Sequence, residues 1–490
     1  MKISVINFLD YPTLNTGLTY VITAIDKSRH RPRLIDVSFC NKNYIEYVIR
    51  KIKDYSPETV GFSTMSPHYQ KNIEIAKEIK AKYPHIFTIF GGIHPTLLPE
   101  ETLNNPYVDA VCIGEGERAI VELLDCLEEK KEPKVKGIWY KKDGRIIKNE
   151  LRMWEEDLDS LPFPDWDFWD MERYFREQPM AEGALTISTS RGCLFDCSFC
   201  SNKALSEKIP GKYFRTRSAK NIIDEIKNNK QKYKNFKFLY ITDDTFGLDK
   251  AQFDAFTQLY KKEGLDKIIP WQCQTRADIV TEDWARKAKE ANCVLVQLGL
   301  EHGIENYRIK IYNKRITNNS FINAANYLRK QGIIYNFNLI IGGPGENRKD
   351  ILASIKFAYL LKPIYLRINM FILLPQTDIE SKIKKETFLQ RNITRGALSW
   401  IYMNRISTFQ IYTIRLFLFL ERALRMFIIG LRVGGAYFLI KFFIRLLRFS
   451  KRKKLWVFFF LLVAIECVIV EEIIKKKRMN SNKAWSPQII

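Results

Sequence analysis

The sequence predicts an α/β protein in three parts: a doubly wound, Rossmann-like N-terminal unit, a partial (β/α)6 TIM-like barrel, and an α-helical C-terminal region. Short apolar runs alternate with helix-like stretches up to about residue 380. Several of those runs end in glycine and polar residues. Positive charge and phenylalanine collect in the last segment. From Phe388 to Ile490 the chain holds 19 Lys and Arg against four acids, and 12 of its 32 Phe.

Residues 1–150 carry predicted strands at Ile3–Phe8, Arg33–Val37, Thr59–Ser63, Phe87–Phe90 and Ala110–Ile113. Helix-like stretches such as Tyr69–Lys82 and Glu117–Glu129 lie between them. Continuous apolar strands joined by helices belong in a parallel sheet covered on both faces. Such sheets bind ligands at the carboxyl ends of their strands. Here those ends read Gly61-Phe62-Ser63-Thr64, Gly91-Gly92-Ile93-His94-Pro95-Thr96 and Gly114-Glu115-Gly116-Glu117. Each alone reads as a turn. Three at successive strand ends predict a crevice where a large planar or phosphate-bearing ligand meets the backbone closely.

Residues 151–180 read as a connector, with Pro162 and Pro164 among aromatics between Trp154 and Trp169. Residues 181–380 repeat the βα pattern. Strands are predicted at Leu185–Thr189, Phe236–Ile241, Ile269–Gln274, Val294–Leu300, Ile333–Ile341 and Tyr365–Leu373. Six repeats suit a partial barrel, with active residues again at the carboxyl ends.

Residues 381–490 form a basic, amphipathic tail. Lys441, Arg445, Arg448 and Arg452 share one helical face, opposite Phe442, Phe443, Leu446 and Leu447. That pattern predicts a helix lying in a bilayer interface. The following run at 455–470 includes Glu466 and is shorter than the roughly 20 residues a span needs. Nucleic acid is disfavoured, because the aromatics sit on apolar faces and do not interleave with the charge. The predicted location is cytoplasmic, peripheral on the inner face of the membrane. Composition excludes disorder, at 46% hydrophobic and 27% charged residues. Nine Cys in 490 residues also exclude a secreted disulfide scaffold.

The strongest chemical signal follows the first strand of the second unit: Arg191-Gly192-Cys193-Leu194-Phe195-Asp196-Cys197-Ser198-Phe199-Cys200. Three thiols spaced this way can wrap one metal cluster. Three ligands on a four-iron cluster leave one iron open to an exogenous ligand, unlike the four-Cys electron carriers. Zinc is the rival, although a structural zinc site wants a fourth ligand and the next Cys is Cys273. The other six cysteines are scattered singly.

This triplet, with an aromatic before its last Cys, resembles the radical S-adenosylmethionine superfamily. The glycine-rich ends of the first unit resemble the cobalamin-binding domain often fused to it. The likeness covers roughly residues 1–380 and is similar to the subgroup of the anaerobic magnesium-protoporphyrin ester cyclase and the hopanoid methylases. It implies a 4Fe-4S cluster on Cys193, Cys197 and Cys200, with Phe199 beside it. It implies S-adenosylmethionine held by residues such as Asp243, Asp244, Gln274, Arg276 and Glu301. It implies cobalamin against Ser63, Thr64, Gly91, Gly92, His94, Thr96, Gly114, Glu115 and Glu117, and a flavodoxin- or ferredoxin-type electron donor. The implied reaction is methyl transfer to an unactivated carbon of a small-molecule or lipid-like, hydrophobic substrate. A radical cyclase or oxidase is the alternative enzyme. A membrane-associated iron–sulfur carrier without radical chemistry is the alternative from another class.

One departure stands out. Related cobalamin domains carry a His two residues after an Asp, whereas Asp36-Val37-Ser38-Phe39-Cys40 has none. The expectation is therefore cobalt without a protein imidazole, or no cobalamin at all. Arg215 and Arg217 are expected to steady a loop before a helix capped by Ser218.

Overall fold

The computed structural model describes residues 1–9, 12–40, 43–177 and 181–386. The predicted strands of the first unit form, in chain order, β1 (Lys2–Asn7), β2 (Arg31–Asp36), β3 (Thr59–Ser63), β4 (Phe87–Gly91) and β5 (Ala110–Cys112). They are joined by β6 (Ile138–Lys142) and β7 (Arg145–Lys148) in one seven-stranded sheet of order β2-β1-β3-β4-β5-β6-β7. Neighbours from β2 to β5 are parallel. The last two strands run antiparallel as a hairpin that the sequence reading did not include. Its turn is Asp143-Gly144, both at positive φ, which suits a tight hairpin turn between the apolar pairs Trp139-Tyr140 and Ile146-Ile147.

The second unit opens with β8 (Ala184–Ile187). A two-stranded antiparallel ribbon of β9 (Ser190–Arg191) and β10 (Arg215–Thr216) follows. Then come β11 (Phe238–Ile241), β12 (Trp271–Thr275), β13 (Cys293–Glu301), β14 (Ile334–Ile341) and β15 (Leu366–Met370). The six long strands make an all-parallel sheet in the order β15-β14-β13-β12-β11-β8. Sequential parallel order with helical crossovers is the topology of an open, partial barrel. Side-chain caps start the covering helices: Asn15 accepts from Leu18 N, Ser218 from Asn221 N and Thr281 from Trp284 N. Asn347 and Asp350 form a capping box at the helix Arg348–Leu360.

The connector is held by aromatics. Trp166 and Tyr174 are fully buried, and the Trp169 indole donates to Thr19 Oγ1 at 2.9 Å, fastening this segment to the helix Thr16–Asp26. The predicted tail begins inside the helix Asp378–Glu386, and its remainder, including Lys441, Arg445, Arg448 and Arg452, lies outside the described residues. Among the described residues no helix is long and apolar enough to cross a membrane.

Candidate active site

The cysteine loop begins where β9 ends. Gly192 sits at φ 81°, and a Cβ there would collide with the carbonyl oxygen of Tyr213, so the turn into the loop demands glycine. Cys200 is the N-cap of the helix Ser201–Lys208, which places its sulfur at the helix N-terminus. Helix N-termini favour anionic sulfur. The loop is pinned from across the barrel: Ser198 N donates to Tyr312 O at 2.9 Å. Phe199 meets the Tyr312 ring edge-on, with centroids 5.1 Å apart. Burial pushes the Cys197 thiol up and the Cys200 thiol up to about 12. Thiolates here therefore form when a metal cation displaces the protons. Among the described residues only His30, Asp125 and Glu128 bring three ligand atoms within 4.8 Å of one another.

The neighbouring strand ends separate two carboxylates that adjoin in sequence. Asp243 is 2% exposed at the cavity wall and accepts from Thr189 N at 2.6 Å and Ser190 Oγ at 2.6 Å, so it ties the end of β8 to β11. Asp244 opens into a cavity, with Asn202 Nδ2 3.1 Å from its carboxylate. Asp244 is itself open to solvent, and the protein mass packed around it raises its carboxyl to about 6. Gln274 donates to the Asp243 carbonyl at 3.0 Å. Arg276 is doubly bonded to Asp278 and lies 3.3 Å over the Phe195 ring. Both act on the scaffold of the loop, and neither lines the two cavities described here.

Glu301 has φ 61°, an unusual conformation for a non-glycine residue, at an irregularity in the β13–β14 register. Such bulges re-aim side chains near functional sites. The Glu301 carboxylate lies 2.8 Å from Lys314 Nζ, and both side chains are largely buried. A cavity of about 290 Å³ brings Glu301 and Phe199 together with Asn338 and Asn369.

The larger cavity, of about 510 Å³, joins the two units. From the first sheet it takes Ser63, Thr64, Gly91, Gly92, Thr96, Gly114, Glu115 and Glu117. From the second unit it takes Ser190, Arg191, Gly192, Asn202, Asp243 and Asp244. Its floor over the first sheet is apolar, with Val5, Leu18, Ile89 and Ile120 around the bare Gly61. Gly92 is at φ 97°, and a Cβ there would lie 2.8 Å from the Thr64 carbonyl oxygen. Side chains are thus excluded at the narrowest approach of the two loops. This combination of a hydrogen-bonding rim and an apolar floor fits a large, mainly hydrocarbon macrocycle with polar edges.

Residues 187–358 match the radical SAM superfamily, and residues 5–124 match the B12 binding domain. An uncharacterized methyltransferase of Pyrococcus horikoshii is 31% identical over 367 residues, 74% of this chain and 77% of that protein. The chain belongs to the radical SAM superfamily. An anaerobic magnesium-protoporphyrin IX monomethyl ester cyclase of Rubrivivax gelatinosus is 27% identical over 356 residues, 70% of this chain and 62% of that one. The solved radical S-adenosylmethionine methyltransferase TsrM of Kitasatospora setae, with cobalamin and a 4Fe-4S cluster bound, is alike in fold. Its TM-score is 0.66 at 16% identity, over 79% of this chain and 78% of that chain. This radical SAM protein is a cobalamin-dependent enzyme of the methyltransferase kind, and its cofactors are a 4Fe-4S cluster, S-adenosylmethionine and cobalamin.

Among the described residues no histidine lines the cavity of this radical SAM enzyme. His94 is buried beside it, 3.1 Å from Ser66 Oγ and stacked on Tyr69 at 4.0 Å, so it braces the Gly-Gly turn from behind. Asp36, where related domains begin their His motif, accepts from Ser38 Oγ at 2.8 Å and from Tyr174 Oη at 2.7 Å. The expected outcome is a Co(II) paramagnetic resonance spectrum whose axial splitting is the same for nitrogen-15-labelled and unlabelled protein. A splitting that changes with the protein label would put a protein nitrogen on cobalt.

Sequence reasoning missed Arg191 as a site residue. Its guanidinium bonds Glu115 at 2.8 Å and Glu117 at 2.7 Å, and Arg215 grips Glu115 from the other side at 2.9 Å. Burial alone would raise the Glu115 carboxyl; the two guanidinium groups overcome this and hold it below the usual range. Two residues assigned to the cofactor rim therefore also clamp the first sheet to the residue that precedes the cysteine loop. Arg217 bonds Glu225 instead and faces Ser188 O at 2.9 Å, the loop-steadying role expected of it. Lys314 was likewise missed. Its only sequence signal is a basic pair, Lys314-Arg315, in a turn.

Proposed function

We propose that this enzyme transfers a methyl group to an unactivated carbon of its substrate, with Cys193, Cys197 and Cys200 holding the cluster. The observation that supports this reading is the continuous 510 Å³ cavity between the strand ends of the first sheet and the mouth of the barrel. A methyl carrier and a radical source can act on one substrate only where both open onto the same space. When bound, the cluster supplies the electron that splits S-adenosylmethionine to a 5′-deoxyadenosyl radical, and cobalamin supplies the methyl group.

The chain's own residues bind, orient and shield. Asp244 is assigned to the ammonium of S-adenosylmethionine, and Glu301, held by Lys314, to the ribose hydroxyls. Ser63, Thr64, Thr96 and the backbone at Gly91-Gly92 and Gly114 are assigned to the polar rim of cobalamin. Because its carboxyl titrates at about 6, Asp244 is anionic at neutral pH and loses its charge on acidification. S-adenosylmethionine affinity is expected to fall as the pH drops through 6. Asp244→Asn is expected to weaken binding at least about tenfold at pH 7.5 and to flatten that pH dependence. Equilibrium dialysis measures both.

The test of the reaction uses anaerobic full-length holoenzyme, a flavodoxin or ferredoxin as electron donor, and S-adenosylmethionine deuterated at its methyl group. Mass spectrometry is expected to find 5′-deoxyadenosine together with a deuterated methyl group on the bound corrinoid. 5′-Deoxyadenosine without that methyl would favour the cyclase or oxidase reading. Neither product would leave an iron–sulfur carrier. The spacing of Lys441, Arg445, Arg448 and Arg452 in the sequence supports a further proposal, docking of the tail on anionic lipid at the inner face of the membrane, where each basic residue contributes about 1 kcal/mol.

A further inference from the structure

Glu301 stands in a turn that folded chains seldom adopt. His302 N donates to Leu300 O at 2.7 Å, across Glu301 at φ 61°. That bond and a positive φ at the central residue make the strained form of the three-residue γ-turn. Strain of this kind persists where the surroundings over-determine it, and it collects at ligand sites.

Those surroundings are present. Arg308 is wholly buried, and its Nη1 donates to the carbonyl of His302, the residue after the turn's centre. Its Nε donates to Ile316 O at 3.0 Å, and its own carbonyl accepts from Lys314 N at 3.1 Å. Arg308 therefore fixes both the turn that carries Glu301 and the loop that carries Lys314. The next N–H along, that of Gly303, donates to Ser354 Oγ at 2.9 Å. The His302 ring stacks on Tyr307, with centroids 4.0 Å apart, and its Nε2 lies 3.1 Å from Glu346 Oε1. Glu346 Oε2 accepts from Gly343 N at 3.1 Å, which joins the turn to the segment after β14.

Gly299 completes the arrangement. Glycine inside a strand weakens it and often marks a close approach. Gly299 lies in β13 and is not at positive φ, so its backbone does not require glycine. A Cβ there would collide with Glu301 Oε1 and Lys314 Nζ. The missing side chain is thus the space in which the carboxylate meets the ammonium at 2.8 Å. Oε1 is taken by Lys314, and the Glu301 side chain lines the 290 Å³ cavity, which leaves Oε2 for a ligand.

We infer that Gly299, His302, Arg308 and Lys314 are positioning residues that hold the Glu301 carboxylate in one orientation, so that it reads the ribose hydroxyls of S-adenosylmethionine. A hydroxyl donates along a defined direction, and an acceptor already held on that line loses little freedom on binding. This inference rests on the assignment of Glu301 to the ribose made above.

The test titrates anaerobic full-length holoenzyme, without reductant, with S-adenosylmethionine and with its analogue lacking both ribose hydroxyls. Wild type is expected to bind S-adenosylmethionine at least about tenfold more tightly than the analogue. In Gly299→Ala the added methyl group displaces the flexible ends of Glu301 and Lys314 and leaves the strand in place. In Lys314→Met the ammonium that fixes Oε1 is gone. Each variant is expected to lose at least about tenfold in affinity for S-adenosylmethionine and less than about twofold for the analogue, with the iron content of wild type. Variants that prefer S-adenosylmethionine as strongly as wild type overturn the inference. So does equal weakening toward both ligands, which a merely structural role produces. A wild type that binds both ligands equally removes the ribose assignment of Glu301 itself, and so tells the two failures apart.

Discussion

Cys197→Ala is expected to leave a folded protein that cleaves no S-adenosylmethionine. The loop from Cys193 to Cys200 is anchored by contacts that do not involve its thiols: Ser198 N to Tyr312 O, Ser198 Oγ to Ile311 O, and the Phe199–Tyr312 ring contact. Removing one sulfur therefore spares the loop and removes one of three cluster ligands. Two cysteines cannot hold a four-iron cluster against exchange, and the fourth iron already lacks a protein ligand. Anaerobic reconstitution should give about four irons per wild-type chain and well under half of that in Cys193→Ala, Cys197→Ala or Cys200→Ala. 5′-Deoxyadenosine should fall below detection in all three. A Cys197→Ala protein with full iron content and turnover would show that the triplet is structural. Iron analysis and chromatography of the nucleoside product decide the matter in one preparation.

The second large effect is expected at Glu115. Its carboxylate is shared by Arg191 and Arg215, and the Arg215 side chain is only 3% exposed. Arg215 also donates to the Glu155 carbonyl at 2.7 Å and lies 5.3 Å over the Trp154 ring. Glu115→Ala leaves that guanidinium buried without its anion, a change that costs about 3–5 kcal/mol. Glu115→Gln keeps an acceptor and should cost less. The effect extends to function because the broken contacts join the first sheet to Arg191, next to the cysteine loop. Corrinoid retention through gel filtration should fall with stability. The pH dependence has a definite sign. With its folded pKa held below the unfolded value of about 4.3, Glu115 contributes stability that is present above that value and lost as pH falls through the folded pKa. Wild type and Glu115→Gln should therefore differ in denaturant midpoint at pH 7 and converge at strongly acidic pH. Equal midpoints at pH 7 would show that the clamp contributes nothing.

Much of this was legible in the sequence because it is local. Continuous apolar runs at regular intervals identify β1, β3, β4 and the barrel strands, and the cysteine spacing is a property of eight consecutive residues. The β6–β7 hairpin was overlooked although Asp143-Gly144 marks its turn, because Lys141 and Lys142 hide the alternation of the short strand β6. Site residues divided on a different principle. Eight of the nine rim positions at the first sheet line the shared cavity, since a strand end fixes where its loop lies. His94 does not, because one helical turn from Ile93 to Leu97 rotates it against Tyr69. Arg276 could be read as a carboxylate binder only while its bond to Asp278, two residues on, went unseen. Arg191 meets Glu115 across 76 residues of sequence, and no motif records such a contact.

The central claim is that the cobalamin crevice shares one cavity with Gly192 and Asn202, which flank the cluster loop, and pulsed paramagnetic resonance of the reduced holoenzyme tests it without knowledge of the substrate. With Co(II) cobalamin and a one-electron-reduced cluster in the same molecule, the Co(II) signal should broaden and relax faster than in the Cys197→Ala protein loaded with cobalamin alone. Two signals that add without broadening or faster relaxation would place the cofactors in separate spaces and contradict the account.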